Sequence, residues 1–270
     1  MKLAVSNIAW KNNQFDEFLK LISSLNCSGI EIAPSKLWKR IENIDDKDKK
    51  NFKAQLKNFN LKFLGFHSLL FGKENLQIFK DNENRKETKF FLYRLIEICH
   101  DLGGRNLIFG SPKNRNTHNN SNYKEIGKNF FFDLSNYAEK FNINICLEPL
   151  DVSMTDFLTT IESTGEFIED IGNSNLKLHL DTKSFLISKE KIGKNISRFF
   201  NLIEHVHISN SDLSVLKEDN KIHKMFANYL REMKYSNYLS LEMRRVNNNE
   251  IGSITQSVDF IKKIYLSKND

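Results

Sequence analysis

The chain has 270 residues, 40% of them hydrophobic and 22 of them Phe, with 40 Lys and Arg against 34 Asp and Glu for a formal charge of +6. That length suits one domain spanning residues 1–270, near the roughly 250 residues of an eight-fold α/β barrel. No stretch reaches the roughly 18 unbroken apolar residues of a membrane span, and no signal-peptide core opens the chain, so a cytoplasmic protein without membrane contact is expected.

The lysines are dispersed along helical patterns and diluted by Asn, which reads as a solvated surface rather than a nucleic-acid footprint. Cys27, Cys99 and Cys146 are odd in number, widely spaced and set in apolar surroundings. They read as reduced core thiols, not as a disulfide framework or a CxxC site.

Strand and helix patterns alternate regularly. Residues 2–9 form a first predicted strand, and 14–26 place Phe15, Phe18, Leu19, Ile22 and Leu25 at helical spacing. Residues 29–33 are a second strand carrying Glu31, and 35–60 a helical region with a charged break at 45–48. Residues 61–70 are a third strand with His67; 84–102 are a long helix with Phe90, Phe91, Leu95, Ile96 and Cys99 inward, closed by Gly103-Gly104.

Residues 105–110 are the fourth strand, 111–122 a polar, Asn-rich segment read as a flexible loop, and 123–141 a helix. Four more strands follow at 143–150, 176–181, 203–209 and 238–243, separated by helices at 159–171, 191–202 and 221–234 and closed by one at 251–266. Eight strands alternating with eight helices predict an α/β fold, a single (β/α)8 TIM barrel.

The second half repeats one design. The run Ile-Asn-Ile-Cys-Leu-Glu-Pro-Leu ends in Glu148 and is stopped by Pro149; Lys-Leu-His-Leu-Asp ends in Asp181, His-Val-His in His207 and Tyr-Leu-Ser-Leu-Glu in Glu242. A short apolar strand delivering a charged residue at its C-terminal tip supplies the rim on which such barrels carry their chemistry. Three carboxylates and one imidazole suit a divalent ion such as Mn2+, Mg2+, Co2+ or Zn2+, and the lack of thiolate argues against a structural zinc. The alternative for any one of these residues alone is an ion-paired rim position. His179 and His205 each lie two residues before a ligand candidate and are read as structural, one layer deeper.

At these positions the sequence resembles the xylose isomerase-like TIM barrels, which include sugar phosphate isomerases and epimerases. The motifs are Leu147-Glu148-Pro149, Leu180-Asp181-Thr182, Val206-His207-Ile208 and Leu241-Glu242, reinforced by Gly29-Ile30-Glu31-Ile32 and His67. The resemblance implies one divalent ion held by Glu148, Asp181, His207 and Glu242 and binding two neighbouring oxygens of a carbohydrate. It also implies that Glu148 and Glu242 move the protons, one taking a proton from the carbon beside a carbonyl and the other returning one from the opposite face.

Two departures from that pattern bear on substrate. Asp181-Thr182-Lys183-Ser184 replaces the Asp-x-x-His of many members, and 209–213 lacks the arginine that epimerases place after the strand-seven histidine. Candidate substrate contacts are His67, Glu31, Trp10, Ser184 and Lys183, with Arg115 and Arg244 able to read an anionic group on a small-molecule carbohydrate. Inosose dehydration and hydroxypyruvate isomerisation use the same ligands and stay open, as does a non-catalytic carbohydrate-binding barrel. The apurinic endonucleases share the barrel, but of their additional histidines only His67 is present here. Related barrels pair as dimers or tetramers, so a homo-oligomer is allowed, although no interface patch stands out.

Overall fold

The computed structural model describes residues 1–187, 192–217 and 221–267. Eight parallel strands close into a barrel in the order of the chain. They are β1 (Lys2–Ser6), β2 (Gly29–Ile32), β3 (Lys62–Phe66), β4 (Asn106–Phe109), β5 (Asn144–Leu147), β6 (Leu176–Asp181), β7 (Ile203–Ile208) and β8 (Tyr238–Leu241). Closure comes from β1 pairing with β8, Lys2 opposite Tyr238 through Val5 opposite Leu241.

The surrounding helices are α1 (Phe15–Ser24), α2 (Pro34–Leu37), α3 (Asp46–Asn58), α4 (Asn82–Leu102), α5 (Tyr123–Glu139), α6 (Ile161–Ile171), α7 (Thr182–Ile187), α8 (Ile192–Arg198), α9 (Lys221–Glu232) and α10 (Glu250–Ile261). Each of the larger helices turns an apolar stripe to the strands, as Phe15, Phe18, Leu19 and Ile22 of α1 do. The predicted start of the 191–202 helix, Lys191, and the end of the polar tail at 268–270 lie outside the described residues.

Register sets the height of every tip residue. Asp181 pairs with His207 across β6 and β7, Ile208 with Leu241 just before Glu242, and Phe109 with Leu147, which brings Gly110 beside Glu148. On the far side Ser6 pairs with Glu31. β3 and β4 meet closely at Gly65, whose φ of +149° and approach to Asn106 leave no room for a side chain: a Cβ there would lie 1.8 Å from the Asn106 carbonyl oxygen.

Several expectations change in detail. The charged break at 45–48 is a helix start: Asp45 caps the Asp48 amide, and the Asp48 carboxylate accepts from the Asp45 amide. Phe90, expected inward on α4, is 69% exposed, because the buried stripe runs through Leu92, Leu95, Ile96 and Cys99. The segment 111–122 is pinned rather than flexible. Thr117 donates from its amide and its hydroxyl to Asp156 at 2.8 and 2.5 Å, and the Asn114 amide group donates to the Lys73 and Leu76 carbonyls.

The three cysteines are free and buried, as expected. Burial pushes the Cys27 thiol up to about 12, out of the range in which a thiolate forms. No helix among the described residues is long and apolar enough to cross a membrane.

Candidate metal centre at the barrel mouth

Asp181, His207 and Glu242 each offer one ligand atom, and these atoms lie within 4.8 Å of one another. All three residues are buried, because β6, β7 and β8 end side by side and deliver them to one spot. Asp181 is oriented through one oxygen only: its Oδ1 accepts from the Ser209 hydroxyl at 2.5 Å and from the Lys183 amide at 2.9 Å. Its Oδ2 makes no hydrogen bond. His207 divides its ring similarly, with Nε2 donating to Glu31 Oε2 at 2.8 Å, while Nδ1 lies 3.6 Å from Glu242 Oε2 without a hydrogen bond.

A hard carboxylate oxygen, a second carboxylate and an imidazole nitrogen, two of them buried with ligand atoms to spare, fit a divalent ion. Glu31, accepting from His207 Nε2, orients that ring with Nδ1 toward Glu242. Burial would raise the pKa of Glu31, but His205 and His207 outweigh it and hold that carboxylate well below its usual value. In turn Glu31 and Glu242 overcome the effect of burial on His207 and hold the imidazole well above its own.

Glu148 stands beside this trio rather than within it. The structure brings together three of the four expected ligands at close range, and Glu148 joins them through charge, since Asp181 and Glu242 both act on its carboxylate. Burial, reinforced by those two neighbours and opposed by Lys183, raises it to about 7. Glu242 is buried too, yet His207, His67 and Lys183 hold it well below the ordinary range. The two carboxylates are thus pushed in opposite directions by their surroundings, Glu148 up and Glu242 down. Gly110 makes room for Glu148: a Cβ at 110 would meet Glu148 Oε2 at 2.2 Å.

The remaining candidates fall into two groups. His67 belongs to the centre, its Nδ1 3.3 Å from Glu242 Oε1 and its Nε2 hydrogen-bonded to Ser6 Oγ at 2.6 Å. Lys183 Nζ is 3.4 Å from Asp181 Oδ2. Ser184 donates to the Pro149 carbonyl at 2.9 Å and, with Asp181, Pro149, Asp151, Thr160 and Phe185, lines a cavity of about 270 Å³ beside the centre.

Trp10, Arg115 and Arg244 are placed differently from expectation. Trp10 is buried and stacks on Phe18 with ring centroids 5.0 Å apart. Arg115 does not reach over the rim: it is fully buried, donating to the Glu148 carbonyl at 2.8 Å and to the Leu158 carbonyl at 3.4 Å. Arg244 is 64% exposed and pairs with Asp212 at 3.4 Å.

Sequence reasoning missed Ser209, whose hydroxyl orients Asp181. The available signal was its place two residues after His207, on the same side of the strand line. It also left His205 as a purely structural residue. His205 Nε2 lies 3.1 Å from Glu31 Oε1, and Glu31, His205 and His207 form a second group whose ligand atoms lie within 4.8 Å of one another.

A closed eight-stranded barrel carrying carboxylates and an imidazole at the C-terminal tips of its strands is an enzyme-type scaffold with a candidate metal centre. The family model described as Xylose isomerase-like TIM barrel matches residues 19–264, and the chain belongs to that family. A D-psicose 3-epimerase of Agrobacterium fabrum (strain C58 / ATCC 33970) is 26% identical over 120 residues, 44% of this chain, and the match spans 42% of that relative's length.

Among solved structures, D-psicose 3-epimerase in the presence of D-fructose superposes with a TM-score of 0.83 at 16% identity, covering 99% of this chain and 100% of its own. L-ribulose 3-epimerase superposes with a TM-score of 0.81 at 17% identity, covering 98% and 95%. At these identities the superpositions establish the shared barrel.

Proposed function

We propose that the chain is a divalent-metal-dependent epimerase or isomerase of a small ketose or related sugar, acting by proton transfer through an enediolate. The observation that carries this reading is the convergence of Asp181, His207 and Glu242 within 4.8 Å beside a second carboxylate, Glu148, raised to about 7. The relatives named above are epimerases of D-psicose and L-ribulose, which points to the same substrate class.

Asp181 and His207, with Glu242 and Glu148, would hold the ion, and Glu31 would keep His207 facing it. When bound, such an ion supplies charge stabilisation for an enediolate and acidifies the C–H beside the carbonyl. Glu148 would exchange the proton on one face of the sugar. Glu242, held ionised by His207, His67 and Lys183, serves the other face of the sugar. His67, fixed by Ser6, and Ser184, at the cavity edge, would contact sugar hydroxyls. We assign Trp10 and Arg115 to support of the site, since both are buried, and leave an anionic substrate group to Lys183 or Arg244.

The test is incubation with Mn2+ and D-psicose, D-fructose or L-ribulose in deuterated water. The expected result is deuterium at C3 of recovered ketose together with its C3 epimer, lost in Glu148→Gln and Glu242→Gln. A metal-loaded chain that washes no deuterium into any of these ketoses would sink the reading.

A further inference from the structure

Lys183 is a feature of the centre that the family resemblance does not account for. It is the second residue of α7, which starts directly at the tip of β6. Its amide donates to Asp181 Oδ1 at 2.9 Å, which folds the chain so that the side chain returns over the same carboxylate. Its Nζ lies 3.4 Å from Oδ2, with the lysine side chain 15% exposed and the aspartate side chain fully buried.

That oxygen is the one Asp181 atom left without a hydrogen bond, and it is the atom available to a metal. The ammonium and a divalent ion would therefore draw on the same oxygen. Ligand atoms of Asp181, His207 and Glu242 already lie within 4.8 Å of one another, so an ammonium on Asp181 Oδ2 stands at the edge of the same centre.

We propose that Lys183 is a built-in counter-ion for the Asp181 carboxylate: it neutralises Oδ2 before metal binds, gives that oxygen up when metal arrives, and so weakens metal affinity. This rests on the metal centre proposed above. Carboxylates crowded in a buried mouth repel one another, and a lysine on a flexible stem can neutralise one of them as a point charge without fixed geometry. The same charge repels a second cation in the same place. A barrel built in this way keeps its mouth preformed without metal, at the expense of metal affinity.

The test compares Mn2+ binding by the full-length chain, stripped of metal, with binding by Lys183→Met and Lys183→Gln, by equilibrium dialysis at pH 7.5, with melting curves of the metal-free proteins alongside. Met keeps the stem and Gln keeps a polar end, so the two variants differ in packing and share only the loss of charge. Both are expected to bind Mn2+ about tenfold more tightly or better and to gain more in Tm from the metal than the native chain gains. Tightening is diagnostic, because damage to the site would weaken binding instead. Binding by the variants alone is the extreme form of the expected result. Equal or weaker binding by the variants, with the native chain still binding, would overturn the role of Lys183 and leave the metal centre standing. No binding by any of the three proteins would overturn both.

Discussion

Replacing Gly110 by Ala perturbs the centre without substituting any of its candidate ligands. The new Cβ would stand 2.2 Å from Glu148 Oε2 and 3.3 Å from its Cδ, where ordinary contact begins at 3.4 Å. The carboxylate must therefore retreat by about 1 Å or the β4 and β5 tips must part. Glu148 is buried, and its own carbonyl is held by Arg115 at 2.8 Å, so the side chain rather than the backbone is expected to yield. A displacement of about 1 Å in a proton-transferring group costs roughly 10²-fold in rate, whereas overpacking of this kind costs about 1–3 kcal/mol of stability. The assay is solvent deuterium uptake into the best ketose, followed as kcat/KM, with the melting temperature read in parallel. A folded Gly110→Ala protein with native kcat/KM would refute the idea that Glu148 must occupy its observed position.

Glu31→Gln replaces the charged acceptor of His207 Nε2 by a neutral amide and is expected to lower Mn2+ affinity about 10–100-fold; calorimetric titration measures this, and unchanged affinity would remove the Glu31 charge from the centre. Glu148→Gln is expected to stabilise the metal-free protein increasingly as pH rises. The folded carboxyl titrates near 7 against an ordinary 4.5, so below about 4.5 both native and unfolded states are protonated, and the native chain loses stability as pH climbs through about 7. The difference approaches about 3 kcal/mol at pH 8, and urea melts at pH 4.5 and pH 8 showing an equal gap would contradict it. Asp156→Ala releases the Thr117 amide and hydroxyl and is expected to cost about 1–3 kcal/mol, with faster amide hydrogen exchange across 111–122 as the local readout.

The barrel was legible in the sequence because its strands are short apolar runs ended by breakers, as at Pro149, and its main helices carry clear stripes, as in α1. Boundaries were lost where a side chain rather than periodicity decides them. The cap at Asp45 looked like a break, and Asn7 turns the chain out of β1 by accepting from the Ala33 amide at 2.7 Å, a bond between segments 26 residues apart. The tip residues Asp181, His207 and Glu242 could be named because β-strand alternation and the strand–helix period place them; that they converge, with Glu148 alongside, is a fact of register and closure. Arg115 shows where sequence fails most. A basic residue in an Asn-rich segment reads as a loop charge, and nothing local indicates that its guanidinium is buried against the carbonyl of Glu148.

The most direct measurement is anomalous diffraction from crystals of the chain grown with Mn2+. The account predicts one strong peak at the barrel mouth, bonded to Asp181 Oδ2, His207 Nδ1 and Glu242, with Glu148 drawn in as the fourth ligand and Lys183 swung off Asp181. A mouth that binds no manganese at millimolar concentration, or a peak at Glu31, His205 and the Nε2 side of His207 instead, would contradict it.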